Sequence, residues 1–164
     1  MEDLTYEQQA HDEGYALVCG VDEAGAGPLM GPVYAAAVIL PEKFELPGLN
    51  DSKKLTEKKR EALFPRIQQQ ALAWSVASVS AREIDETDIL SARMKAMQLA
   101  IDGLTPRPDF ALIDGNRDHG KSAAVTTPHR CIVGGDAHAA SIAAASILAK
   151  VSRDRYVADV LDKQ

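Results

Sequence analysis

The sequence predicts an α/β protein, a mixed five-stranded sheet flanked by helices. Three observations predict it. Three short apolar segments read as strands in the first half of the chain. The second half alternates helical and strand-like patterns. A composition of 46% hydrophobic and 26% charged residues over 164 positions suits one domain with a core of its own.

Each element has a local reason. Residues 1–14 form an acidic N-terminal arm, read as a short helix or a loose segment, and residues 15–164 form the folded domain. Leu17 to Val21 is an apolar run leading into Asp22-Glu23, which end the first strand, and Val33 to Leu40 is a second, Ala- and Val-rich strand. Ala71 to Ser80 alternates through Leu72, Trp74, Val76 and Val79 as a third. Between the second and third, Thr56 is the expected N-cap of a basic helix running to about Gln70, which Pro65 should kink or split. Ser80-Ala81-Arg82-Glu83 has the pattern of a capping box. The helix after it carries Leu90, Met94, Met97, Ile101 and Leu104 on one face. Beyond Gly103 and Pro106-Arg107-Pro108, Phe110 to Ile113 is the fourth strand, ending at Asp114, and Arg130 to Val133 the fifth. Asp136 then opens an Ala-rich helix to about Val151, and a last helix runs toward the C-terminus.

Composition excludes several classes. No apolar run reaches the roughly eighteen residues of a membrane span, and no basic-then-apolar start marks a signal peptide. Cys19 and Cys131 are too few and too far apart for a zinc cluster and suit buried thiols in a reducing, cytoplasmic setting. The formal charge of −6 argues at first against a nucleic-acid partner. Five of the acids lie in residues 1–14, however, which hold no Lys or Arg, so residues 15–164 set 18 basic residues against 19 acidic ones. From Lys53 to Arg66 six positive charges face two negative ones.

Four acids fall where active sites of α/β proteins lie: Asp22 and Glu23 at the end of the first strand, Asp114 at the end of the fourth, Asp136 just after the fifth. Gathered carboxylates repel unless a counter-charge joins them. Hard oxygen donors without a His or Cys cluster select Mg²⁺ or Mn²⁺ over zinc. Two such ions can clamp the attacking and leaving oxygens of a phosphodiester. Each acid also has a plainer reading. Asp136 serves equally as a helix N-cap, and Asp114-Gly115 as a turn. Asp22 and Glu23 point to opposite faces of a strand, so both can ligate only if the chain bends there, which Gly25 and Gly27 permit.

The Gly25 to Pro32 segment lacks both the third Gly of a dinucleotide fingerprint and the Lys-Ser/Thr of a Walker loop. Gly25 and Gly27 can still bring backbone close to a sugar or phosphate, or simply form a tight turn. Lys53 and Lys54 either hold a nucleic-acid backbone or belong to a solvated helix face. Trp74, Met94 and Met97 are expected in the core, and Cys131 inside a strand. His138, near Asp136, is expected to face solvent. The four histidines show no metal-ligand spacing, and no Ser-His-Asp or Cys-His arrangement stands out.

Several segments together resemble bacterial ribonuclease HII: Gly20-Val21-Asp22-Glu23-Ala24-Gly25, Leu49-Asn50-Asp51-Ser52-Lys53-Lys54-Leu55, Ile113-Asp114-Gly115-Asn116, and Gly135-Asp136 followed by the stretch from Ser141 to Arg155. The similarity is ordered and runs from about Val18 to Arg155. It implies an RNase H-like fold and a metal-dependent endonuclease using Mg²⁺ or Mn²⁺. Such an enzyme cuts the RNA strand of RNA–DNA hybrids and 5′ of ribonucleotides embedded in duplex DNA, leaving 3′-hydroxyl and 5′-phosphate ends. The catalytic and metal-binding carboxylates would be Asp22, Glu23, Asp114 and Asp136. Gly25, Ala26, Gly27, Lys53 and Lys54 would contact substrate, Asp154 would be structural and paired with a nearby Arg, and the chain would act as a monomer in the cytoplasm.

The sequence departs from the family pattern in three places. Gly25-Ala26-Gly27 stands where the family has Gly-Arg-Gly, which removes a guanidinium that grips phosphate bidentately. Gly134 or Gly135 replaces a basic residue before the fourth acid. The family's further C-terminal segment, with a tyrosine near the junction sugar, does not follow, and Tyr156 is not in its motif. These departures spare the metal ligands and weaken the grip on substrate. The alternative reading is a catalytically impaired hybrid-binding module on the same fold, and a phosphatase of small esters is a more distant one.

Overall fold

The computed structural model describes residues 4–25, 31–49, 55–86, 88–115 and 125–161. The acidic leader folds as helix α1 (Thr5–Asp12). Strands β1 (Val18–Ala24) and β2 (Val33–Ile39) follow, then α2 (Glu57–Gln70), β3 (Ala73–Val79), α3 (Ala81–Glu86) and α4 (Ile89–Asp102). The second half holds β4 (Phe110–Asp114), β5 (His129–Ile132), a short α5 (Gly135–His138) and the long α6 (Ala140–Tyr156). A π-helical turn, Val157–Leu161, continues α6 in place of the separate last helix that the sequence suggested.

The sheet order is β3-β2-β1-β4-β5, antiparallel from β1 to β3 and parallel from β1 to β5, the mixed five-stranded sheet expected. Parallel pairing brings the C-terminal ends of β1 and β4 to the same edge, because Val21 stands opposite Ile113. Strand alternation then divides the core. Cys19, Val21, Ala35 and Ala37 face α4, whose Met94, Met97 and Ile101 are buried against them. Ala36 and Val38 face α2 and α6, meeting Leu63, Ile67, Ala144 and Leu148. Helix α6 is buried nearly all round, as an apolar helix in a core must be. It crosses β1 at Gly20, where a Cβ would collide with the backbone of Ser141 and Ile142.

Local chemistry fixes several boundaries as the sequence implied. Thr56 caps α2 by accepting the Lys59 N–H at 3.2 Å, and Ser80 accepts the Glu83 N–H at 3.2 Å. Helix α1 is docked through a buried carboxylate: Glu7 Oε2 accepts the Ser141 hydroxyl at 2.6 Å and the Ser141 N–H at 3.1 Å. A negative charge at the start of α6 is favoured there by the helix dipole. No helix among the described residues is long and apolar enough to cross a membrane.

The first strand closes on Asp22, Glu23 and Ala24, one residue past the expected end, because β2 keeps pairing with it there (Asp22 opposite Ala36, Glu23 opposite Ala35) after the ladder with β4 has stopped. Three expectations are corrected. Pro65 does not split α2, which runs unbroken from Glu57 to Gln70 although a proline cannot donate its backbone hydrogen bond. Trp74 is not in the core but 40% exposed, in keeping with the place of β3 at the edge of the sheet. The Ala-rich helix is broken at Ala139 (φ −131°, ψ 121°), and Gly134, not Asp136, is the N-cap residue of α5.

Candidate active site

The four acids lie around the C-terminal edge of β1 and β4. Asp22 leaves β1 on the α6 face and is buried, and its Oδ1 accepts the Glu23 N–H at 2.8 Å. Glu23 leaves on the opposite face, toward α4. Asp114 ends β4 half-buried, and its Oδ1 accepts the Gly135 N–H at 2.7 Å. Asp136, 2% exposed, lies in the first turn of α5. All four line one open pocket of about 310 Å³ with Arg60, Ser146 and Lys150. A second depression, of about 250 Å³, lies between α1 and the opposite ends of β1 and β2, and none of the four acids lines it.

The electrostatics of the pocket are those of crowded carboxylates. Burial pushes the Asp22 carboxyl well above its usual range, and the charges of Asp114, Glu23 and Asp136 push the same way, against a smaller opposing pull from the Glu23 N–H. The proximity of the four groups is therefore felt at one atom set. Among the described residues no three His, Cys, Asp or Glu side chains already stand in ligand geometry. Protein groups already engage the acids: Gly135 donates to Asp114, the Glu23 N–H to Asp22, and Arg93 pairs with Glu23.

The donor set fits a hard divalent cation. It offers only oxygen, and the neighbouring negative charges, which add to burial in raising Asp22, are what a doubly charged ion relieves. Neither cysteine lines this pocket. Cys19 is buried in β1, where desolvation pushes its thiol up to about 12, and Cys131 is half-buried in β5.

Of the other residues singled out in the sequence, Gly25 follows β1 with φ 92°, and a Cβ there would collide with the Arg153 side chain and the Pro32 carbonyl. Ala26, Gly27, Lys53 and Lys54 lie outside the described residues. His138 is exposed, as expected. Asp154 is the paired structural acid foreseen, 3.8 Å from Arg60 and 3.4 Å from Lys150.

Sequence reasoning missed three cations of the site. Arg60 and Lys150 stand in the pocket wall, Arg60 also donating to the Leu55 carbonyl at 2.6 Å. Arg93 on α4 reaches Glu23 Oε1 at 2.6 Å. Arg60 had a signal in the basic stretch and Lys150 in the motif after Ser141. Arg93 had none.

A mixed five-stranded sheet with acids at the ends of its central strands and at the following helix defines the class, a protein of RNase H-like fold. The comparison with known families is specific: the family model described as Ribonuclease HII matches residues 19–164. The chain belongs to the ribonuclease HII family, the type 2 ribonuclease H endonucleases. Ribonuclease HII of Aliivibrio salmonicida is 55% identical over 154 residues, covering 94% of this chain and 72% of that protein. Ribonuclease HII of Desulfitobacterium hafniense is 53% identical over 160 residues, covering 98% of this chain and 60% of that protein. The ribonuclease H2 of Pyrococcus horikoshii has the same fold, with a TM-score of 0.77 at 28% identity over 90% of this chain and 77% of that one.

Proposed function

We infer that this chain is a divalent-metal-dependent endoribonuclease that cuts the RNA strand of RNA–DNA hybrids and 5′ of ribonucleotides embedded in duplex DNA, leaving 3′-hydroxyl and 5′-phosphate ends. The observation that supports this reading best is one pocket in which four carboxylates face two cations, Arg60 and Lys150.

Asp22, Glu23, Asp114 and Asp136 would hold Mg²⁺ or Mn²⁺, which when bound supplies an activated water and neutralises charge on the phosphate. The chain's own residues supply the rest. Asp22 on β1 and Asp136 on α5 are buried, so their carboxylates are fixed by the sheet and the helix that carry them. Arg60 and Lys150 offer positive charge to the non-bridging oxygens of a phosphodiester, and Asp154 keeps both oriented. Gly25 turns the backbone beside Ala24, which lines the same pocket, and so can pass close to a sugar. A ribose 2′-OH is the group that separates RNA from DNA at such a site. We place the protein as a monomer in the cytoplasm; its two cysteines, which form no disulfide, suit that reducing setting.

Ala26, standing where the family has Arg, favours a second reading, a module that binds hybrids without cutting them. A duplex carrying one ribonucleotide decides. Incubation with Mg²⁺ or Mn²⁺ should give a cut on the 5′ side of the ribonucleotide with a 3′-hydroxyl end, abolished by chelator, and Ala26→Arg should increase it. Binding of the duplex with no cut under either ion, in the parent and in Ala26→Arg alike, would replace the nuclease with the binding module.

A further inference from the structure

We propose that Arg93 is a positioning residue that competes with the divalent cation for Glu23, and so sets how tightly the acidic pocket holds that ion. The proposal rests on the metal-dependent reading given above.

Three observations lead to it. Asp22 and Glu23 are consecutive residues of a regular strand, paired with Ala36 and Ala35 of β2, so their side chains leave on opposite faces. Asp22 goes to the α6 face and Glu23 to the α4 face, where Arg93 waits in the second turn of α4. The two charged groups stand 2.6 Å apart, with the Glu23 side chain 11% and the Arg93 side chain 35% exposed. A pair this close and this sheltered is screened far less than a surface ion pair. Finally, the buried Arg93 Nε has no acceptor among the described residues, while its Nη2 meets Glu23 Oε1.

Glu23 is also one of the four acids lining the pocket. An ion entering the pocket therefore meets a carboxylate already neutralised by a protein cation. Either Glu23 Oε1 exchanges Arg93 for the ion, or Glu23 stays with Arg93 and contributes little charge. Both routes lower the affinity of the pocket. The other two cations of the site do not act this way, because Arg60 and Lys150 are tied to Asp154.

Mn²⁺ titrations of the substrate-free protein, followed by the paramagnetic signal of the free ion, test this. Arg93→Gln keeps a hydrogen-bond donor and removes the charge, and it should tighten Mn²⁺ binding by about fivefold or more. Arg93→Lys keeps the charge and should stay within about twofold of the parent. In a Glu23→Gln background the gain from Arg93→Gln should shrink to near nothing, since the two residues act through one contact. A residue that merely stabilised α4 would lower the melting temperature on substitution and leave Mn²⁺ binding where it was. Equal or weaker Mn²⁺ binding by folded Arg93→Gln, or an undiminished gain in the Glu23→Gln background, overturns the proposal. Asp22→Asn run alongside separates the two levels. If it removes the parent's Mn²⁺ binding, the acidic site stands whatever Arg93 does; a parent that binds no Mn²⁺, or binds it without need of Asp22, takes down both.

Discussion

The backbone N–H of Gly135 donates to Asp114 Oδ1 at 2.7 Å, which joins the end of β4 to the first turn of α5. Asp136 is the next residue, so one hydrogen bond sets the spacing between two of the four acids. A Cβ at position 135 would meet the tip of Ile142 at 2.6 Å and Asp114 Oδ1 at 3.3 Å. Gly135→Ala should therefore push α5 outward, costing about 1–3 kcal/mol of stability, the usual size of overpacking. Cleavage should fall more than that cost explains, by about tenfold or more, since a small misplacement at a reacting centre is expensive. Single-turnover cleavage beside a thermal melt checks this; full activity with a lowered melting temperature would refute it.

Asp154 gathers Arg60 from α2 and Lys150 from its own helix. Asp154→Asn should release both and weaken substrate binding. The Michaelis constant should rise about three- to tenfold with a smaller change in turnover, because contacts that position phosphate act before chemistry. The dependence of binding on salt should become shallower. An unchanged Michaelis constant would mean that the two cations do not face the substrate.

Asp109 ties the entry of β1 to that of β4. Its two carboxylate oxygens accept the N–H groups of Ala16 at 2.9 Å and Leu17 at 2.8 Å. Burial alone would raise this carboxyl, but the two N–H donors outweigh it and hold it below its usual range. A carboxylate held low contributes stability that is fully present above the ordinary Asp value of about 3.9 and is lost as pH falls through the lowered one. Asp109→Asn should cost about 1 kcal/mol at neutral pH, kept small by solvent exposure, and almost nothing near pH 2. Chemical denaturation across that range measures it.

Much of this architecture was legible in the sequence because it rests on local signals. The apolar runs located all five strands to within a few residues, and Thr56 and Ser80 announced their helices through side chains that cap them three residues on. The four acids were legible as candidates because each lies at or shortly after the end of an apolar strand. What the sequence did not carry is tertiary. The break at Ala139 interrupts a stretch of good helix formers, and it separates α5, which carries Asp136, from α6, which lies across Gly20. Trp74 kept its place in the strand pattern, but alternation says which residues share a face, not how far the covering helix extends. Arg93 meets Glu23 across seventy positions of chain, a relationship that no spacing rule reaches.

The central claim is that the four acids at the edge of β1 and β4 form the centre that cuts. It is tested most directly by single-turnover cleavage of a duplex with one embedded ribonucleotide, comparing the parent with Asp22→Asn at saturating Mn²⁺. The substitution keeps the size of the side chain and removes the charge of the most deeply shared acid. Asp22→Asn should lower the rate about 10²–10³-fold or more, in line with the loss of a group that stabilises charge at a reaction centre. Equal rates for the two proteins would contradict it.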